Sequence, residues 1–469
     1  MFLTGALTPD AAMTSKRGLF GWILFDVATQ PVATLITTFV FAPYFASRLA
    51  SSPVEGQSLW GFATGAAGLI IAVLAPLLGA MADASGRRKP WIAAFSLLSI
   101  TGCLLLWRAA PGVEGAVALA IAGFIMASIG AEFATVFTNA MMPTLVPQER
   151  MGRLSGYGWA AGYFGGLVSL AIMLGFVVAS PDTGLTLAGI APFLGLDPAS
   201  GEGDRASGPF AALWYLLFIL PLLLWTPDGR GHGNQGGHVR AGIASLRATL
   251  VALPRHRDIM IFLAAQMIYI DGLIALFAFG GIYAAGTFGW TTIEIGIFGI
   301  LLTITGTIGA AVGGVLDDRL GPKAVVLGSL ACLILASVGI LATTADRIFF
   351  IVDVAPATAG DGLFSSTAER VYVALGLAIG MVAGPLQAAS RTLLARLAPP
   401  EHMTQFFGLY ALSGKVTSFL GPMLVGLMTA WSESQRGGMA VLLVFFVGGA
   451  ALLTAVRVPV RPSASPSSS

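Results

Sequence analysis

Four charged side chains lie inside long apolar stretches of the sequence, where charges are rare. They are Asp26, Glu132, Asp271 and Lys415. A carboxyl group removed from water can take up and release a proton near neutral pH, and it can also bind a cationic group. A lysine can bind an anion or pair with a carboxylate. The pattern therefore predicts a site for a small solute or a proton, with a static ion pair between Lys415 and one carboxylate as the alternative.

Side-chain amides in the same stretches add hydrogen-bond donors and acceptors to this predicted site. Aromatic residues close by in the sequence, including Trp22, Trp159 and Tyr163, are candidates for the walls of a cavity, although packing or lipid contact more often explains such residues. The residues assigned to substrate or proton binding are Asp26, Gln30, Glu132, Asn139, Asp271, Gln387 and Lys415.

A polar motif, GAMADASGRRKPW, interrupts the apolar sequence at 79–91, and a weaker copy, GVLDDRLGPK, occupies 314–323. The shared positions are Gly79, Asp83 and Gly86 in the first copy and Gly314, Asp318 and Gly321 in the second. Glycine lets two helices approach closely, and an aspartate at a helix end followed by Arg87 and Arg88 can form a charge cluster. The repeated spacing predicts a gate that opens when the cluster breaks. The alternative is that the cations only anchor the topology.

The composition indicates a membrane protein. Of 469 residues, 56% are hydrophobic and 10% are charged, whereas soluble domains carry about 25% charged residues. The net charge of +2 and the lack of a long basic run argue against nucleic-acid binding. The two cysteines and four histidines have no metal-ligand spacing, and no HExxH or GxSxG motif occurs in the apolar stretches. We therefore expect a lipid environment, no cofactor, no metal and no enzymatic activity.

Twelve apolar stretches are long enough to cross a bilayer as helices, which needs about 20 residues each. They run at 20–47, 58–82, 91–109, 115–140, 154–179, 209–226, 258–285, 293–316, 323–344, 368–390, 405–430 and 438–457. The two polar motifs each follow the second span of a set of six. This parallel repeat predicts an all-α integral membrane protein with twelve transmembrane helices in two six-helix halves, the major facilitator fold.

The halves and their connections follow from these spans. We expect an N-terminal half at 1–226, a cytoplasmic linker with an interfacial helix at 227–257, a C-terminal half at 258–457 and a disordered tail at 458–469. Most Lys and Arg residues fall in the connections on the side of both chain ends. Because cytoplasmic loops carry the excess of positive charge, both termini are predicted to be cytoplasmic. The expected location is the cell (inner) membrane, and the expected state is a monomer.

Four passages resemble the vacuole-effluxer-like branch of the major facilitator superfamily, which includes the effluxer that releases amino acids from the fungal vacuole. The passages are LFDVATQPVATLITTFVFAPYF (24–45), FTNAMMPTLVPQERMGRLSGYGWAAGYFGG (137–166), YIDGLIALFAFGGIYAAGTFGW (269–290) and GPLQAASRTLLARLAPPEHMTQFFGLYALSGKVTSFLGP (384–422). The resemblance covers nearly all twelve spans. It implies the same fold and the transport of a small solute, with an amino acid as the preferred substrate.

The resemblance also implies roles for individual residues. The recurrent aspartates of the first and seventh spans correspond to Asp26 and Asp271, and the gate motif corresponds to Gly79, Asp83, Gly86, Arg87 and Arg88. The family's serine-arginine and glycine-lysine pairs correspond to Ser390 with Arg391 and to Gly414 with Lys415. The gating residues are Gly79, Asp83, Gly86, Arg87, Arg88, Asp318, Gly321 and Arg391. This sequence reads DVATQ where the family usually reads DxANS, so Thr29 and Gln30 predict a difference in specificity if they touch the substrate.

These features support a secondary transporter that works by alternating access, with proton coupling through Asp26, Asp271 or Glu132. Three alternatives remain open at this point. The cargo is a sugar or a drug-like solute carried by the same mechanism, or the protein is a membrane sensor that has lost transport, or it is a membrane enzyme, for which no catalytic motif is present. Competition by a panel of solutes would distinguish an amino-acid carrier from a carrier of sugars or drug-like solutes. Ligand binding without turnover would indicate a sensor.

Overall fold

A computed structural model describes residues 14–51, 53–180, 183–229, 256–290, 292–357 and 363–458. These residues are almost entirely helical. Helices satisfy every backbone hydrogen bond within one segment, which is the condition for crossing lipid. The predicted interfacial helix of the linker and nearly all of the predicted tail lie outside the described residues.

The N-terminal half contains seven α-helices and several short π and 3-10 segments. The α-helices are α1 (Lys16–Pro31), α2 (Phe41–Tyr44), α3 (Pro53–Ser85), α4 (Lys89–Leu106), α5 (Ala116–Leu145), α6 (Met151–Ile172) and α7 (Glu202–Trp225). The π segments are Val32–Phe39, Phe45–Leu49 and Met173–Val177, and the 3-10 turns are Gln148–Arg150 and Phe193–Gly195.

The C-terminal half contains seven further α-helices and a two-stranded ribbon that the all-α prediction did not include. The helices are α8 (Arg257–Phe288), α9 (Thr292–Leu320), α10 (Pro322–Leu341), α11 (Thr367–Leu397), α12 (Met403–Val416), α13 (Leu420–Ser432) and α14 (Gln435–Thr454). A 3-10 turn, Pro400–His402, precedes α12. The strands β1 (Arg347–Ile348) and β2 (Val352–Asp353) pair antiparallel in the connection before α11.

Eleven segments within the described residues are long and apolar enough to cross a membrane, and Leu420–Ser432 is a shorter apolar helix. This shorter helix, α13, follows α12 in the predicted eleventh span, 405–430. The prediction of one continuous helix there is wrong, because the chain leaves helical geometry at 417–419. The twelve-span fold is confirmed, with its eleventh crossing made of two pieces.

The first crossing is also less regular than the predicted helix at 20–47. It runs over Lys16–Leu49, but beyond Pro31 it contains two π segments separated by α2. Proline has no backbone N–H and its ring crowds the preceding turn, so a change of helical pitch after Pro31 has a local cause. The irregular part begins at Val32, six residues after Asp26, a residue assigned to the binding site.

The two halves pack through pairs of helices that contain the repeated motifs. At one end of the bundle, α3 lies against α12 and α9 lies against α6. We call this the basic end, because it holds Arg88, Arg153, Lys323 and Arg396. Gly86 and Gly321 end α3 and α9 there with φ of 69° and 84°, a conformation that costs glycine little and that commonly ends a helix.

Candidate functional site

Arg391 lies at the centre of the contact between the halves. It belongs to α11, yet its side chain is bound entirely by helices of the N-terminal half. Its Nη1 donates to Asp26 Oδ2 at 3.2 Å and to Asn139 Oδ1 at 3.0 Å. Its Nε donates to Ser155 Oγ at 2.9 Å, and its Nη2 donates to the Ser155 carbonyl oxygen at 2.7 Å. Three N-terminal helices, α1, α5 and α6, therefore hold one arginine of the other half.

Aromatic rings enclose this guanidinium. Its central carbon lies 5.0 Å from the centre of the Trp22 ring and 5.9 Å from the centre of the Trp159 ring. Both distances are within the range of cation–π attraction. Trp22 is itself fixed, because its Nε1 donates to the Thr138 carbonyl oxygen at 2.8 Å. Two aromatics proposed from the sequence as cavity walls thus contact the charged centre.

The ion pair between Arg391 and Asp26 is shielded from solvent. The exposed fractions of the two side chains are 4% and 16%. Removing one partner of such a pair costs about 3–5 kcal/mol, because the other charge remains buried without compensation. The pair therefore favours the arrangement in which α11 stays against the N-terminal half. Asp26 therefore pairs with Arg391, while the alternative of an ion pair between Lys415 and one of the carboxylates stays a prediction, because the Lys415 side chain lies outside the described residues.

A second polar contact between the halves lies close to the first. Gln387, one turn before Arg391 on α11, donates from Nε2 to the Tyr163 hydroxyl of α6 at 3.0 Å. Gln30 is half-buried on α1 and faces Gly162 and Gly166 of α6. The absence of side chains at these two glycines leaves room for the Gln30 amide. Gln30, Asn139 and Gln387 therefore lie on the helices that surround the Asp26–Arg391 pair.

The remaining residues assigned to the site are spread over three helices. Glu132 lies on α5. Lys415 lies in the last turn of α12, and its side chain is outside the described part of the chain. Asp271 is buried in α8, with 1% of its surface exposed. The structure brings Asp26, Asn139 and Arg391 into direct contact, and Asp271 is not part of that network.

The first copy of the motif joins α3 to α12 at the basic end. Asp83 accepts hydrogen bonds from the backbone N–H groups of Thr404 and Gln405, at 3.2 and 2.9 Å. These groups begin α12, so the carboxylate caps the positive end of that helix dipole. Arg88 bonds to both Asp83 and Thr404. Its Nη2 donates to Asp83 Oδ1 at 3.3 Å, and its Nε donates to Thr404 Oγ1 at 3.0 Å.

The other motif positions explain how α3 and α12 come so close. A Cβ atom built at Gly79 would lie 2.6 Å from the Thr404 carbonyl oxygen and 2.9 Å from the Gln405 Cα. Only glycine fits there without movement of the backbone. Arg87 differs from the prediction, because its side chain is exposed and takes no part in the hydrogen bonds among the described residues of this contact.

The second copy of the motif makes the matching contact between α9 and α6. Asp318 accepts from the backbone N–H of Arg153 at 3.2 Å, and Arg153 Nε lies 2.5 Å from Asp318 Oδ2. Asp318 therefore caps the start of α6 as Asp83 caps the start of α12. Gly314 continues the likeness, since a Cβ there would lie 2.7 Å from the Gly152 carbonyl oxygen.

Sequence reasoning missed Asp317 and Arg396 at this second contact. Asp317 is 1% exposed, and its Oδ1 lies 3.4 Å from Arg396 Nη2, which also donates to the Gln148 carbonyl oxygen at 3.1 Å. The doubled aspartate in GVLDDRL was the available signal. Ser155 was also missed, because a serine in a glycine-rich helix has no distinctive pattern.

A cavity of about 1130 Å³ opens at the basic end of the C-terminal half, away from the Asp26–Arg391 pair. Residues of both halves line it, including Glu149, Asp258, Asp318, Lys323 and Arg396. Charges of both signs are mixed along its wall. The cavity therefore lies in the predicted gate region, beside Asp318, and neither Asp26 nor Arg391 lines it.

Comparison with solved structures supports the fold. A crystal structure of the E. coli fucose:proton symporter FucP aligns with a TM-score of 0.69 and covers 94% of this chain and 98% of its own, at 16% sequence identity. A bacterial homologue of the iron transporter ferroportin in an outward-facing state aligns with a TM-score of 0.65, at 14% identity, over 93% of this chain and 98% of its own. At these identities the likeness establishes the fold alone.

Sequence relatives agree with the fold. An uncharacterized MFS-type transporter of Bacillus subtilis (strain 168), YxiO, is 25% identical over 443 residues, which are 93% of this chain and 94% of the relative. Autophagy-related protein 22-1 of Neosartorya fischeri is 24% identical over 61% of this chain and 45% of its own length. The chain thus spans less than half the length of that fungal relative.

The family described as "Vacuole effluxer Atg22 like" matches residues 52–461, most of the chain. The match includes both gate motifs, Asn139, Ser155 and Arg391, while Asp26 lies before it. Together with the twelve-crossing fold, it confirms the resemblance found in the sequence. The chain belongs to the vacuole effluxer Atg22-like family, and it is a multi-pass membrane transporter of the major facilitator type.

Proposed function

We propose that this protein is a secondary active transporter that moves an amino acid across the membrane by alternating access, coupled to protons. The observation that carries the proposal is the buried pair between Asp26 and Arg391, which joins the two halves at 3.2 Å. Alternating access requires the halves to rock about a site between them. An ion pair that spans the halves is intact when the halves are in contact there. When the halves separate, each of the two charges needs another partner.

A zwitterionic substrate supplies that compensation. The α-carboxylate of an amino acid can take the place of Asp26 on the Arg391 guanidinium, and its ammonium group can bind the Asp26 carboxylate. Neither buried charge is then left alone, which is the condition that costs most. A neutral sugar offers hydroxyl groups but no charge to exchange. Trp22 and Trp159 beside the guanidinium provide rings for the substrate side chain.

A proton has a defined role in this scheme. Protonation of Asp26 cancels its charge and weakens its bond to Arg391, which lets α11 leave the N-terminal half. Glu132 and Asp271 are further candidate proton carriers. Gln30, Asn139, Gln387 and Lys415 are proposed to orient the substrate. The gates formed by Asp83 and Asp318 would close one side of the membrane while the site faces the other.

The family relation supports the choice of substrate. A fungal effluxer that releases amino acids belongs to the branch that the sequence resembles, and the sequence relatives include autophagy-related proteins of that group. We place the protein in the cell (inner) membrane as a monomer, with both termini and therefore the basic end on the cytoplasmic side. That orientation follows from the excess of Lys and Arg at the basic end.

The proposal is tested by uptake of a labelled amino-acid mixture into proteoliposomes, with and without an imposed proton gradient. We expect gradient-driven accumulation by the wild-type protein, and Asp26→Asn is expected to lose the response to the gradient. Accumulation driven by the gradient in Asp26→Asn as in the wild type would remove Asp26 as the coupling group.

Counterflow with a panel of unlabelled solutes then identifies the cargo. Competition by amino acids supports the proposal. Competition by sugars alone would replace the amino acid with a sugar and keep the mechanism. Ligand-induced thermal stabilisation with no uptake and no counterflow would contradict transport and favour a sensor.

A further inference from the structure

Asp271 is a buried carboxylate outside the central network. Its surface is 1% exposed, and no hydrogen-bond partner reaches its Oδ1 among the described residues. An unpaired carboxylate in such a place costs several kcal/mol in general. A buried charge of this kind is normally compensated by a cation or removed by a proton.

The surroundings of Asp271 place it beside the break in the eleventh crossing. A Cβ atom built at Gly421, in the first turn of α13, would meet the Asp271 backbone, and one built at Gly272 would lie 2.7 Å from the Phe445 Cβ of α14. Residues 417–419, which separate α12 from α13, immediately precede this contact in the chain.

A second group without a partner faces Asp271 from the break itself. The Thr417 hydroxyl lies near the Asp271 carboxylate, and neither this hydroxyl nor Asp271 Oδ1, both buried, has a hydrogen-bond partner among the described residues. One of these oxygen atoms belongs to α8 and the other to the break between α12 and α13. Such a pair indicates room for a third atom between them.

The broken helix adds further oxygen atoms with negative potential. The last four carbonyl groups of an α-helix have no partner within the helix, and the end of α12 carries the negative pole of its dipole. In discontinuous membrane helices, unwound carbonyl groups and C-terminal helix ends bind Na⁺ or H⁺. At the break, the Thr417 and Phe419 carbonyl oxygens each accept one backbone hydrogen bond, from Leu420 and Met423, and a carbonyl oxygen has a second lone pair that can bind a cation.

The ligand chemistry selects a monovalent metal ion. The site offers one carboxylate, one hydroxyl and main-chain oxygen atoms, and the described residues contain no group of three or more His, Cys, Asp and Glu that could hold a metal. One negative charge balances one positive charge, and hard oxygen ligands suit a hard cation. We propose that Asp271 and Thr417 form a sodium site at the break between α12 and α13.

Sodium at this position would hold the two pieces of the eleventh crossing in one geometry. The opposite end of α12 is capped by Asp83 at the gate. The inference goes beyond the proposed function, because it concerns an ion site separate from the Asp26–Arg391 pair. Its test measures binding alone, so its failure leaves the uptake result unaffected.

The experiment is equilibrium binding of ²²Na⁺ to the purified full-length protein, with choline chloride used to keep the ionic strength constant. We expect saturable binding of about one ion per chain. Asp271→Asn should abolish it, and Thr417→Val should raise the Kd about tenfold, the loss expected for one hydrogen-bonding group on a charged partner. Thr429→Val is the matched control, because the Thr429 hydroxyl bonds within α13 to the Val425 carbonyl oxygen at 2.8 Å.

Thermal unfolding of each variant first establishes that it is folded, and Thr417→Val keeps the test decisive if Asp271→Asn does not fold. Absence of saturable sodium binding in the wild type would overturn the proposal, as would unchanged binding in a folded Asp271→Asn or Thr417→Val. Stabilisation of the wild type by low pH but not by sodium, lost in Asp271→Asn, would also overturn it, since the site would then hold a proton.

Discussion

At the scale of single residues, the predicted and observed positions differ most for Arg391. The sequence placed it at the gate by resemblance, while the structure places it against Asp26, 365 residues away. Asp26 could be selected from the sequence because charges in apolar spans are rare, and Arg391 was selected through the resemblance to the family. Their pairing could not be predicted, since it depends on how two distant helices rotate about their axes. The same is true of Ser155, which binds Arg391 through both its hydroxyl and its carbonyl oxygen.

The geometry of Arg391 predicts that lysine cannot replace it. Arg391→Lys keeps the charge but loses the planar fork that bonds to Asp26, Asn139 and Ser155 at once. We expect at least a tenfold loss of the uptake rate in proteoliposomes, with the folded protein retained. Arg436→Lys is the matched control, because Arg436 also lies over an aromatic ring, that of Phe350, but outside the site. Equal rates in Arg391→Lys and the wild type would contradict the role given to the guanidinium.

At the scale of elements, the repeated motif marked two close contacts between helices of the two halves, and the role of these contacts as a gate stays a prediction. Glycine, aspartate and glycine at fixed spacing mark a close helix contact, a capping carboxylate and a helix end, and each is local. The break in the eleventh crossing was missed, because hydropathy continues across Thr417, Ser418 and Phe419. A local signal was nevertheless present: Pro422 has no backbone N–H to bond the Ser418 carbonyl oxygen, and its ring crowds that carbonyl.

The close contact of α3 with α12 leads to a prediction for stability when one methyl group is added at Gly79. Gly79→Ala should lower the melting temperature, because the new Cβ would lie 2.6 Å from a backbone oxygen of α12 and overpacking of this kind costs about 1–3 kcal/mol. Gly65→Ala on the same helix has no atom within 4 Å of its Cβ, so it should leave the melting temperature unchanged or raise it. Thermal unfolding in detergent compares the two. A melting temperature for Gly79→Ala as high as that of Gly65→Ala would show that the helices can separate freely there.

At the scale of the whole molecule, the polar contacts between the two halves include one at the centre and two at the basic end. The central one is the Asp26–Arg391 pair, and the other two are the caps that Asp83 and Asp318 place on helices of the opposite half. Composition and the repeated motif predicted twelve crossings in two halves. They could not predict that the basic end is closed in this structure, because closure consists of contacts between residues far apart in the chain.

The most direct test of the account is the distance between the halves at the basic end. Spin labels at Arg87→Cys and Leu320→Cys, both exposed positions of opposite halves, report it in a background that carries Cys103→Ala and Cys332→Ala. In liposomes the otherwise unaltered protein should show mainly the short distance of the closed state. Asp26→Asn should move at least about tenfold more of the population to longer distances, since each 1.4 kcal/mol lost from the closed state changes the ratio tenfold. Identical distance distributions with and without Asp26→Asn would contradict the claim that this ion pair holds the halves together.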